Sequence, residues 1–195
     1  MTRELFPLSS RRTAMIRIRP IDRNTAEPGA AELLDAVERK MRAVPNIIST
    51  MANSPAVAKA YLGFGQALST GALPHRLREQ IALLVGEING CGYCVAAHTA
   101  LGKAAGLSEG ETCDARRGAS RDEKERVALG FARKVVQERG IVMDDDMEKV
   151  RQAGYSDGEI GEIVAHVAMN IFSNYFNHVA GTEVDFPVPP SLKAA

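Results

Sequence analysis

Helix punctuation constrains this chain more than any other feature. Three S-x-x-E sequences, Ser108/Glu111, Ser120/Glu123 and Ser156/Glu159, each fit a capping box. In that motif the hydroxyl and the carboxylate reciprocally satisfy the orphan N–H groups of a helix start. Gly106, Gly140, Gly154 and Gly181 stand where helices would end, the position at which glycine accepts a left-handed backbone at no steric cost. Ser54-Pro55 reads as an N-cap followed by proline at the first helical position, and Pro74 opens another helix. Pro28-Gly29 precedes an Ala/Glu/Leu-rich segment to about Arg42, which Pro45-Asn46 breaks. Further helices are predicted near 74–88, 91–105, 109–115, 121–139, 144–153 and 157–180. Strand signals are nearly absent, so the fold class is all-α, a multi-helix bundle on one core. We expect a single helical domain over 15–186, a mobile tail over 1–14, and an extended, proline-bearing tail over 187–195.

Composition excludes several function classes. Twenty-four basic and 24 acidic side chains give a net charge of zero, which argues against a strongly basic nucleic-acid binder and leaves little repulsion to oppose self-association. No apolar run approaches the roughly 18 residues of a membrane span, and the N-terminus lacks the apolar core of a secretory signal. We therefore expect a cytoplasmic protein that binds neither membrane nor nucleic acid. In that compartment paired cysteines more often do redox chemistry or bind metal than staple a fold. The glycines at Gly86, Gly90 and Gly92 do not form a dinucleotide-binding G-x-G-x-x-G after a strand. No flavin, haem or nucleotide motif is present, and no cofactor is expected.

Two of the three cysteines, Cys91 and Cys94, form a C-x-x-C. Ile81, Leu84, Val85 and Ile88 recur at i, i+3, i+4 and i+7, marking the core face of a helix that Asn89-Gly90 then breaks. A new helix should start at about Cys91, placing both cysteines in its first turn. Unpaired N–H groups and a partial positive charge there stabilise a thiolate, the nucleophilic form. Cys94 and His98, four apart, share a face, whereas Cys91 and His98 are separated by about two turns, ~10 Å along the axis. His98 is thus placed to activate Cys94. A zinc site is a competing reading, with Cys91, Cys94 and His98 joined by Cys113, His75, His166 or His178. Haem attachment fails because Val95, not histidine, follows Cys94.

The run Leu73-Pro74…Arg78-Glu79…Asn89-Gly90-Cys91-Gly92-Tyr93-Cys94-Val95-Ala96-Ala97-His98, then Gly106-Leu107-Ser108, resembles the alkylhydroperoxidase D / carboxymuconolactone decarboxylase superfamily, and more narrowly its peroxidase-related branch. Val44-Pro45-Asn46, Asn53-Ser54-Pro55 and the segment from Gly154-Tyr155-Ser156-Asp157 to Asn174…Asn177 agree, so the likeness spans about 16–186. The resemblance implies an all-helical homo-oligomer, a trimer or hexamer, that reduces a hydroperoxide with electrons from a thiol donor. It assigns Cys94 as the peroxidatic cysteine, Cys91 as the resolving one, and His98 and Glu79 as their proton-relay partners. Glu87, four residues before Cys91, is a rival carboxylate. Tyr93 replaces the histidine that alkylhydroperoxidase D proteins carry before the second cysteine, which removes one relay group. The alternative function is a non-redox, lactone-handling or binding protein on the same scaffold.

His166, Asn170, Asn174 and His178 recur every four residues along the last helix. They read either as a polar wall of a substrate cavity or as an amide-rich seam between helices or subunits. We read them as the seam, because buried amides commonly satisfy one another.

Overall fold

The computed structural model describes residues 15–192. The tail expected over 1–14 and the last three residues lie outside them. Among the described residues there are nine helices and no strand: α1 Pro28–Met41, α2 Asn46–Met51, α3 Pro55–Ser69, α4 His75–Ile88, α5 Gly92–Ala104, α6 Glu109–Arg116, α7 Glu123–Gln137, α8 Asp144–Gln152 and α9 Asp157–Ala180. None is long and apolar enough to cross a membrane.

Helix α4 occupies the centre, packed by α5, α6, α7 and α9. Its residues from Ile81 to Val85 are all buried, as expected for a stretch of helix that is apolar on every side. One apolar cluster joins α4 to α7, α8 and α9 through Ile81, Leu84, Leu129, Phe131, Val150 and Ile163. A second joins α1, α2, α3 and α5, and contains Cys91, Tyr93, Cys94 and Ala97. The cysteine pair is therefore packed inside the protein. Leu84 is fully buried in the first cluster, so Leu84→Ala should cost about 2–5 kcal/mol through lost transfer energy and the cavity left behind. Urea denaturation should show a lowered midpoint with an unchanged slope.

The capping boxes form at Ser108/Glu111 and Ser156/Glu159. The third differs: α7 is capped by Asp122, whose Oδ1 accepts from Glu125 N at 2.9 Å. Ser120 instead donates its hydroxyl to Glu125 Oε2 at 2.7 Å, because Asp122 stands one position before the helix and offers a stronger, charged acceptor. Ser54 occupies the N-cap of α3, but its side chain makes no capping bond. Helix α2 forms where the sequence predicts a break. Pro45 is its N-cap, and the Asn46 N–H donates to Asp185 Oδ2 at 2.7 Å. That cap comes from 139 residues away, beyond the reach of any local pattern.

Both ends of the described residues are tied to the body. The N–H groups of Arg17 and Ile18 donate to Ala180 O at 2.8 and 3.1 Å, and the Arg17 guanidinium donates to His178 O at 2.9 Å. A cation thus sits at the negative end of α9. Gly181 turns the chain there with φ 64°, and a Cβ on it would collide with Met15 O. Residues 187–192 have no regular structure. They are held by Arg116, which donates to Pro190 O at 2.6 Å.

Candidate active site

The α4–α5 corner is built by backbone geometry. Asn89 caps the end of α4, Gly90 takes φ 68°, and Cys91 N donates back to Gly86 O at 2.8 Å. Gly86 faces the first turn of α5, where a Cβ on it would lie 3.5 Å from Cys94 Cβ, an ordinary van der Waals distance. Cys91 is the N-cap of α5, and its sulfur accepts from Cys94 N at 3.3 Å. The pair thus sits at the start of α5, as expected, and Cys91 and Cys94 are joined as a disulfide.

The two sulfurs are not equivalent. Cys94 borders an apolar cavity of about 120 Å³, whose wall also includes Tyr61, Leu62, Tyr93, His98 and Phe186. Cys91 is not part of that wall and is 1% exposed. From α9, the Asn177 amide donates to Cys94 Sγ at 3.3 Å and reaches Cys91 Sγ at 3.9 Å. A buried N–H donor aimed at sulfur favours its anionic form.

Glu79 and His98 meet across the α4–α5 interface. His98 Nδ1 lies 2.8 Å from Glu79 Oε2, and His75 Nε2 lies 3.3 Å from the other carboxylate oxygen. Burial pushes the Glu79 pKa up, but the His98 and His75 imidazoles more than offset this and hold the carboxyl below its ordinary value. The carboxylate therefore fixes the ring of His98. Glu87 is turned away from the cysteines. It pairs with the buried Arg116 at 2.8 Å and so supports the tail that Arg116 holds. Tyr93 is buried, accepts from Ile47 N at 3.3 Å and meets Phe186 edge to face at 5.7 Å. Burial raises its phenol pKa, so it serves as a neutral wall.

The α9 stripe divides between its two readings. Asn174 accepts from Asn89 at 2.9 Å, a seam that ties the corner to α9. His166 and Asn170 instead border a second, polar cavity, and His178 is exposed. Among the described residues no group of three His, Cys, Asp or Glu side chains is arranged to hold a metal ion, so the four-ligand zinc set does not assemble. His98 is engaged by Glu79, and Cys91 and Cys94 by each other. Asn177, Tyr61 and Phe186 are the site residues that the motif reading missed. For Asn177 the available signal was an amide on the buried face of an otherwise apolar helix.

Burial, and then the charge of Arg78, depress the His166 pKa to about 4. Between its ordinary value near 6.5 and about 4, the unfolded chain binds a proton that the folded protein refuses. Stability from this group therefore falls as pH drops through that window. His166→Phe should flatten the corresponding part of a plot of melting temperature against pH.

Residues 55–134 match the model of the carboxymuconolactone decarboxylase family. No curated protein sequence matches the chain significantly. An uncharacterized peroxidase-related protein from Ralstonia eutropha JMP134, solved as an alkylhydroperoxidase AhpD core, is 25% identical over 87% of this chain and 92% of its own, with a TM-score of 0.79. A peroxidase-related protein from Silicibacter sp. TM1040 shares the fold at 22% identity, covering 91% of this chain and 97% of its own, with a TM-score of 0.76. The debrominase Bmp8, solved with 2,3,4-tribromopyrrole, shares it at 22% identity over 87% and 91% of the two chains, with a TM-score of 0.73. The all-helical fold is thus AhpD-like, and residues 55–134 carry the match to the carboxymuconolactone decarboxylase family.

Proposed function

We propose that the protein is a thiol-dependent hydroperoxide reductase, with Cys94 as nucleophile and Cys91 as resolving thiol. The observation that carries this reading is the asymmetry of the pair: Cys94 borders the apolar cavity together with His98, whereas Cys91 is not part of its wall. The Cys94 thiolate attacks the terminal oxygen of a hydroperoxide. The O–O bond breaks, and the alkoxide leaves as an alcohol after taking a proton through His98. Cys94 is then a sulfenic acid. The Cys91 thiol displaces its hydroxyl as water and forms the disulfide, which a dithiol donor reduces by exchange. Asn177 stabilises the sulfur anion, and Glu79 orients His98. The active unit is a homo-oligomer, and no cofactor takes part.

The test is a coupled assay on the reduced protein. With tert-butyl hydroperoxide and a small dithiol as donor, one equivalent of alcohol should appear per dithiol oxidised. The peptide spanning Cys91 and Cys94 should lose two hydrogens after a single turnover. A reduced protein that leaves the hydroperoxide intact contradicts the proposal and favours the non-redox reading of the scaffold.

A further inference from the structure

His98, which borders Cys94's cavity, also borders the second cavity, about 300 Å³ in volume. It is bordered by His75, Arg78, Glu79, His98, His166 and Asn170. The size suits a small organic molecule. The hydroperoxide chemistry proposed above has no use for Arg78, His166 or Asn170.

Two buried polar atoms on this wall lack partners. Arg78 gives Nη1 to Leu68 O at 3.2 Å, while its Nε is buried with no hydrogen bond. His166 is 4% exposed, and its Nε2 is likewise buried and unpaired. A buried donor without an acceptor costs free energy, and a guanidinium edge is shaped to take a carboxylate side-on. The carboxylates in this region are already engaged. Glu79 faces His98 and His75. Glu162 accepts from the N–H groups of Ala72 and Leu73 at 2.8 and 2.9 Å.

We infer that this cavity is a binding site for a small organic monocarboxylate. The Nε edge of Arg78 receives the carboxylate, His166 Nε2–H donates to it, and the aliphatic part of the ligand lies along Gly65, Ala82 and Met169, which with Ser69 complete the wall. One guanidinium matches one negative charge. A dianion such as phosphate would bring a second charge beside the ionised Glu79 and is disfavoured there.

The probe is propionate, with propionamide as its neutral isostere, titrated at constant ionic strength into the Cys94→Ser protein. That variant lacks the proposed nucleophile, so binding is read independently of any peroxidase activity. The imidazole proton resonances of His166 and His98 should shift saturably with propionate and stay in place with propionamide. Arg78→Gln should weaken propionate binding tenfold or more. An equal response to both probes, no saturable response to propionate, or undiminished binding by a folded Arg78→Gln protein overturns the inference. If Arg78→Gln fails to fold, the comparison of the two probes still decides.

Discussion

Cys94→Ser is expected to lower hydroperoxide consumption by roughly a thousandfold or more, since a hydroxyl cannot replace a thiolate as nucleophile at neutral pH. Cys91→Ser should behave differently. Its first turnover should proceed at close to the parent rate, because Cys91 does not border the cavity. Recycling should fail, because no thiol one turn away remains to displace the sulfenic hydroxyl. Stopped-flow measurement of the first turnover, set beside the steady-state rate, separates the two variants. Equal first-turnover losses in both would show that the sulfurs are interchangeable and would remove the basis for the assignment.

Glu79→Gln carries the second large effect. A carboxylate held 2.8 Å from His98 Nδ1 fixes the tautomer and the ring. A neutral amide keeps the shape and loses the charge. Activity should fall by about a hundredfold, within the range of general acid–base contributions, and the pH–rate profile should shift as well as drop. A purely structural role would lower stability and leave the profile in place. Because the Glu79 pKa is held below its ordinary value in the folded protein, its stabilising contribution is present above the ordinary carboxylate pKa and is lost as pH falls through the folded value. Glu79→Gln should thus flatten the acid limb of the stability curve. Glu87→Gln supplies the contrast. It should leave the pH–rate profile unchanged and cost a few kcal/mol by stranding Arg116, which is 6% exposed.

What was legible in the sequence follows the reach of each interaction. Capping boxes, glycine stops and the Cys94-to-His98 spacing are encoded within one or two turns, and the sequence announces them at Ser108, Ser156, Gly90 and Cys94. The Glu79–His98 contact crosses the Asn89-Gly90 break, so helical spacing could not establish it. The family resemblance could only imply it. Asn177 reaches Cys94 from 83 residues away. Asp185 caps α2, and Phe186 packs on Tyr93, from the last residues before the expected tail, where no helix signal places them. These contacts depend on how α9 and the chain end lie across α2 and α5, and local propensity carries no record of that. Asp122 is a different case, since both it and Ser120 are local capping candidates and the choice between them lay in the strength of the acceptor.

The most direct test of the thiol assignment uses Cys91→Ser, reduced and mixed with one equivalent of tert-butyl hydroperoxide. A cyclic diketone then traps any sulfenic acid, and peptide mass spectrometry locates the adduct. The proposed mechanism predicts one adduct, on Cys94. An adduct confined to Cys113, or an unmodified Cys94 after the hydroperoxide has been consumed, would contradict it.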